Sequence, residues 1–383
     1  MENKTLGIYL HIPFCLSKCG YCDFCSVAGS DKRTKNRYLS ALSKNMTQIS
    51  RQAEDYLVDS VFIGGGTPTV LPPQQLKKLI DDLYRAYFVV ESAEFTVEAN
   101  PATVSKKYAE LLVASGVNRV SIGLQSADDG ELRALGRIHS VKDFEESYHI
   151  FRSAGIENIN VDLMYGIPGQ TTESFLNTLK YAVSLGPEHI SAYGLQLEPG
   201  TPFFEQKDTL ALPDEDTEYS MYCYAEEYLQ ENGYEHYEIS NYAKPGKRCR
   251  HNLKYWNCEP YLGFGASAHS DFGGWRYGYV ADLKRYVDAV EAGGAGDRLC
   301  AERAVHTPSS FETDYVMLRL RLCDGIDKKI YEALFGRPFD SKYAERLRPF
   351  EAGGFVQNDE TSCRLTTDGM YVSNTILSSI LDF

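Results

Sequence analysis

Six short apolar runs, each followed by a longer amphipathic stretch, organise the first half of this 383-residue chain. The runs are Gly7–Ile12, Val58–Ile63, Glu94–Glu98, Arg119–Leu124, Asn158–Met164 and His189–Leu195. Helical patterns lie between them, over Thr34–Ala53, Pro73–Ala86, Val104–Ser115, Lys142–Ala154 and Thr172–Ser184. In the second of these, Leu76, Leu79, Ile80 and Leu83 recur at helical spacing, the pattern of one face packed on a core. Strands separated by helices pair in parallel, so the expected fold is α/β, a partial (β/α)6 barrel. After Leu197 the regularity fades. A helix over Asp216–Gln230 precedes Tyr234–His269, which reads as a long loop. From Phe311 onward, three helices, a short hairpin and a further helix predict a small, mainly helical, winged-helix-like C-terminal domain. The expected division is a barrel core over residues 1–235, a barrel extension over 236–305 and the C-terminal domain over 306–383.

In such a barrel, functional side chains collect at the C-terminal ends of the strands. The first strand runs into Cys-Leu-Ser-Lys-Cys-Gly-Tyr-Cys, which holds Cys15, Cys19 and Cys22. Three thiolates on so short a loop can hold one small metal centre and leave a coordination position open. A zinc site wants four ligands. Cys25 would supply the fourth, but neighbouring thiolates on one short loop strain to surround a tetrahedral ion. A disulfide needs an oxidising compartment. The other six cysteines show no framework spacing, the residues before the first strand read as neither a signal nor a transit peptide, and no apolar run is long enough for a bilayer. A cytoplasmic setting is the expectation. The net charge of −14 argues against general nucleic-acid binding, which needs a basic footprint.

The other strand ends are equally marked. Gly64-Gly65-Gly66-Thr67-Pro68 follows the second strand, and consecutive glycines let backbone approach a ligand and expose N–H and C=O groups. Glu98 ends the third strand and Gln125 the fourth, with Arg137 a short helix later. Asp162 ends the fifth among apolar neighbours, where a charge is costly unless used or paired. An Arg137–Asp162 ion pair is the plain structural account of both. Tyr9, on the first strand, is otherwise a core aromatic.

Together these residues resemble the radical S-adenosylmethionine (SAM) superfamily and, within it, the oxygen-independent coproporphyrinogen III oxidases and their relatives. The resemblance implies a radical SAM barrel with a [4Fe–4S] cluster on Cys15, Cys19 and Cys22. SAM then chelates the fourth iron, and Cys25 stays a free thiol. It implies that Gly65, Gly66 and Thr67 receive SAM's amino group. It also implies that Tyr9, Tyr21, Glu98, Gln125, Arg137 and Asp162 contact the cofactor.

Two features set the chain apart from the oxidases proper. The stretch before its first strand is short where they carry an extension. His251-Asn252-Leu253-Lys254-Tyr255-Trp256, an H-N-x-x-Y-W motif, resembles the HemW-type haem chaperones, as does Gly263–Ser270 after it. A neutral imidazole is a common haem ligand, so His251 is the candidate, with Tyr255 and Trp256 offering flat surface to a porphyrin. Arg248, Arg250 and Lys254 flank the motif and suit propionates, and Cys249 is a weaker ligand candidate. The plain alternative is a loop histidine held by Asn252, with Trp256 packed on the barrel rim. The expected function is haem binding and delivery to acceptor apo-haemoproteins, membrane-bound ones included, by a chain that can form a homodimer. The alternative is coproporphyrinogen III decarboxylation or another radical reaction on a tetrapyrrole.

Overall fold

The computed structural model describes residues 4–294 and 299–381. The six expected strands form as β1 Lys4–Ile12, β2 Tyr56–Gly65, β3 Val89–Ala99, β4 Arg119–Gln125, β5 Asn158–Tyr165 and β6 His189–Gly194. They pair in parallel in that order. The intervening helices begin where polar caps allow. The side chains of Asp31, Ser105, Ser140 and Thr171 each accept a backbone N–H at the start of Lys32–Ile49, Lys106–Ala114, Val141–Ala154 and Thr172–Ser184.

Side chains alternate across each strand, and the two faces of this sheet differ in kind. Leu6, Ile8 and Leu10 of β1, Val97 of β3, Ile122 of β4 and Val161 of β5 are wholly buried. They share one apolar cluster with helix residues such as Leu42, Leu79 and Phe151. The opposite face carries Tyr9, Ser121, Asn160, Asp162, His189 and Ser191, which line a cavity. Parallel sheets covered on both faces are normally apolar on both. A polar concave face therefore marks the interior as a site rather than a core.

Among the described residues the sheet has twelve strands. Beyond β1 it continues with Tyr261–Phe264, which is parallel to β1. His269–Phe272, Trp275–Tyr279 and Cys300–Val305 then follow antiparallel. Beyond β6, Asn241–Ala243 and Glu235–Glu238 pair antiparallel. Tyr234–His269 is thus not the expected loop. It holds three short strands and the helix Arg250–Trp256. Elements this short show no periodicity of their own, and pairing with β1 and β6 creates them.

The C-terminal part has the winged-helix order. Helices Pro308–Arg319, Lys328–Phe335 and Asp340–Ala352 pack with a three-stranded antiparallel sheet of Ile326–Asp327, Ser362–Leu365 and Val356–Asn358. Ile326 stands just ahead of the second of these helices and pairs with Cys363, and Asp327 caps that helix by accepting from the N–H groups of Lys329 and Ile330. The domain meets the barrel edge through the Ile239 N–H to Arg321 O and Cys323 N–H to Tyr237 O bonds. No helix among the described residues is long and apolar enough to cross a membrane.

Candidate functional site

The loop after β1 is pinned at its base and its back. Phe14–Cys15 pairs with Val27–Ala28, closing the base. The Gly20 N–H reaches Leu135 O, and the Phe203 N–H reaches Gly20 O. A Cβ on Gly20 would sit 2.3 Å from the Phe203 ring, so only glycine fits between Cys19 and Tyr21. Phe203 belongs to a second, small apolar cluster with Leu135, Met164, Ile167 and Leu195, against which Tyr21 packs. Cys15, Cys19 and Cys22 are free and partly accessible. They stand on the rim of a pocket of about 160 Å³. No three His, Cys, Asp or Glu side chains among the described residues converge on a single-ion site. The Thr67 hydroxyl points at Cys15 Sγ (3.7 Å), and Arg137 Nη1 at Cys19 Sγ (3.5 Å). Cys25 faces elsewhere and donates to Ala281 O (3.2 Å).

The same pocket is lined by Gly65, Gly66, Thr67, Glu98, Gln125, Arg137 and Asp162, so strand ends far apart in sequence meet there. Gly65 has φ +109°, which favours glycine, and its N–H donates to Glu98 Oε2 (2.9 Å). A Cβ on Gly66 would lie 2.9 Å from Phe14 O and 3.0 Å from Cys15 Sγ. Burial first, then the nearby Asp162, pushes the Glu98 carboxyl up to about 8. Gln125 adopts φ +64° where the β4–β5 register slips, a strained conformation in a non-glycine residue. Its Oε1 accepts from Arg137. The plain structural alternative, an Arg137–Asp162 ion pair, does not form. Asp162 instead accepts from Ser121 Oγ (2.9 Å) and Asn160 Nδ2 (2.7 Å), while Arg137 Nε is buried without a partner.

Beside the pocket lies a cavity of about 540 Å³ that shares Tyr21, Glu98, Gln125 and Asp162 with it. Tyr9, His251 and Tyr255 line this cavity. Trp256 lines neither space, and its indole Nε1 is buried without a partner. The helix Arg250–Trp256 is held by Glu94 of β3. That carboxylate accepts the N–H groups of Arg250 and His251 (each 3.0 Å) and the Cys249 thiol (3.4 Å). His251 is fully buried. Its Nδ1 lies 3.0 Å from Ser60 Oγ and its Nε2 2.7 Å from Tyr255 Oη. Burial, then Lys254 and Arg119, lower its pKa to about 3, so the ring is neutral.

The residues expected to meet propionates are otherwise engaged. Arg248 pairs with Glu235 and Asp324, Lys254 is buried between Asp59 and Glu259, and Arg250 donates to Asp59 O and Ser92 O. Cys249 is buried away from the cavity, and burial holds its thiol up at about 12. Sequence reasoning also passed over Arg119, Asn160, His189, Ser191 and Asn241, all of which line the cavity. The signal was present. Polar residues occupy every second position in β4, β5 and β6.

Replacing Glu94 by alanine leaves the buried His251 N–H and the part-buried Arg250 N–H unpaired, at about 1–3 kcal/mol each. A loss of roughly 2–5 kcal/mol in denaturant unfolding is expected, against about 0.5 kcal/mol or less for the exposed Glu91→Ala on the same strand. Equal stability of the two variants would show that the helix is held by something else.

Comparison with known proteins fits this geometry. Residues 9–182 match the Radical SAM superfamily, and residues 313–372 match the HemN C-terminal domain. Coproporphyrinogen III oxidase (HemN) from Escherichia coli, a radical SAM enzyme, superposes with a TM-score of 0.88 over 98% of this chain and 90% of that one. At 24% identity that likeness shows the fold alone. The fold and the pocket define a radical SAM protein. Heme chaperone HemW of Bacillus subtilis is 38% identical over 376 residues, 97% of this chain and 98% of the relative. Its counterpart in Lactococcus lactis is 32% identical over 383 residues, covering 100% and 98%. The chain belongs to the HemW family.

Proposed function

We propose that this protein is a haem chaperone. It binds haem on the concave side of the sheet, against Tyr255, beside a SAM-liganded [4Fe–4S] cluster in the neighbouring pocket, and passes the haem to acceptor apo-haemoproteins. Full-length membership of the HemW family supports the reading. The observation that carries it is the lining the two spaces share, Tyr21, Glu98, Gln125 and Asp162, with the cysteines on one side and Tyr255 and His251 on the other.

The pocket residues fit both resident groups. Cys15, Cys19 and Cys22 would hold the cluster. The bare Gly66 backbone, the unpartnered Arg137 Nε, Glu98, Gln125 and Asp162 would hold SAM, with Thr67, Tyr9 and Tyr21 around it. When bound, cluster and SAM supply one-electron chemistry at the mouth of the cavity. The chain's own part is to prepare that mouth. Arg137 places a cation beside Cys19 Sγ. His11 Nε2–H donates to Cys25 O (2.7 Å), and its Nδ1 therefore accepts from the Tyr9 hydroxyl (3.0 Å), which fixes Tyr9 in the cavity wall. Tyr255 and the neutral His251 behind it form the inner wall against which the porphyrin lies.

The scattered cysteines outside the first loop, without framework spacing, accord with a reducing, cytoplasmic setting. The acidic charge argues against nucleic acid as a partner, and acceptor proteins, membrane-bound ones included, are part of the same reading. A homodimer is part of the same reading.

The test pairs a haem titration of the anaerobically reconstituted full chain with transfer to a haem-free globin and an anaerobic coproporphyrinogen assay. Near-stoichiometric uptake and transfer, with no protoporphyrinogen formed, is expected. Multiple turnovers to protoporphyrinogen without haem uptake would replace the chaperone by a decarboxylase.

A further inference from the structure

The polar concave face does not stop at β1. In register, Gly7 pairs with Tyr261, Tyr261 with Asp271, and His269 with Gly278, so Tyr261 and His269 extend the inward face across the added strands. A second cavity of about 380 Å³ opens there, between the cysteine loop and these strands. Phe24, Tyr255, Tyr261 and the turn Ser267–His269 wall it. Tyr9, Asp23, Phe24 and Tyr255 line both this cavity and the larger one, so the two are neighbours. Phe24 is 62% exposed, an apolar ring left open at the lip. Lys18, whose Nζ is 3.3 Å from Phe24 O, brings an ammonium to the same lip.

His269 differs from His251 in each property that metal ligation needs. Its side chain is 48% exposed, whereas His251 is wholly buried. Among the described residues no hydrogen bond engages its Nε2, whereas both ring nitrogens of His251 have partners. Its Nδ1 stands 3.3 Å from Glu302 Oε1. A carboxylate at one ring nitrogen favours the proton there and leaves a lone pair on the other, the arrangement typical of ligating histidines. Glycine at 278 makes room for the ring. A Cβ there would sit 2.7 Å from the imidazole carbon between its nitrogens.

We propose that His269 ligates the haem iron in this outer slot, with the macrocycle against Tyr255 and Tyr261 and a propionate near Lys18. The assignment rests on the haem binding proposed above and locates it. Iron enters and leaves by exchange of one nitrogen lone pair, which suits a protein that must release what it binds.

The test titrates ferric haem and, separately, metal-free protoporphyrin into the full chain and reads the Soret band. His269→Ala is expected to weaken haem binding by roughly tenfold to a hundredfold and to shift the band, with added imidazole restoring it. Protoporphyrin, which has no iron to ligate, should bind within about twofold of the unsubstituted protein, because its contacts are apolar. His149→Ala, on an exposed helix face, serves as the control. Haem uptake with an unchanged spectrum in His269→Ala overturns the ligand and leaves the function standing. So does loss of ligation in His251→Ala alone. No uptake by the unsubstituted chain overturns both.

Discussion

Cys19→Ala is expected to lose its cluster outright. After anaerobic reconstitution, iron and sulfide should fall to background, the visible absorption should vanish, and SAM binding should be lost with it. The reason is geometric. The pocket rim offers three thiols and no nearby substitute, and Cys25, the next cysteine along, spends its thiol on Ala281 O. An iron–sulfur cluster held by three thiolates does not survive on two when the third position faces the Arg137 guanidinium, a donor that cannot ligate iron. Cys25→Ala is the matched control and should retain its full iron content. Loss of iron from that variant would make Cys25 a ligand and close the position assigned to SAM. Tetrahedral zinc in the unsubstituted protein would end the assignment altogether.

Glu98 should make SAM binding depend on pH, and the direction follows from its surroundings. Burial and Asp162 hold its carboxyl at about 8, so near neutrality it is largely protonated in the ligand-free pocket. SAM carries a fixed positive sulfonium charge and hydroxyl donors, both of which favour the ionised form. Binding therefore releases a proton below about pH 8. Affinity should rise with pH from about 6 to 8, by at most about tenfold per unit, and level off above. The same raised value means that the ligand-free fold loses stability as pH climbs from the ordinary carboxylate range to about 8, because there the unfolded chain ionises and the folded one does not. Glu98→Gln should bind SAM roughly tenfold to a hundredfold more weakly at pH 8, the scale of one charged hydrogen bond. It should also lose the part of the slope due to Glu98. Isothermal titration in buffers of different ionisation enthalpy measures the released proton directly. An identical slope in the glutamine variant would assign the dependence to another group.

Much of the site was legible because it is written locally. The cysteine spacing, the glycine run after β2 and the carboxylates at strand ends are properties of short segments, and a parallel strand–helix alternation delivers all of them to one end of the sheet. The H-N-x-x-Y-W helix was harder. Its residues were found, but what they face was not. Trp256 and the three nearby cations turn to the structural side, and His251 proves to be a satisfied histidine whose nitrogens meet Ser60 and Tyr255. Glu94, which seats that helix, lies more than 150 positions upstream, and no local pattern couples the two.

The sequence by itself determined the parallel barrel, the winged-helix-like end and the chemistry available at each strand terminus. Each of these follows from periodicity and residue type within a few turns of chain. The tertiary structure alone decided which face of each strand is the working one. It also decided that Asp162 bonds Ser121 and Asn160 rather than Arg137, and that His269 is open where His251 is closed. Those outcomes depend on register between strands distant in sequence. A shift of one residue would turn every inward polar side chain outward.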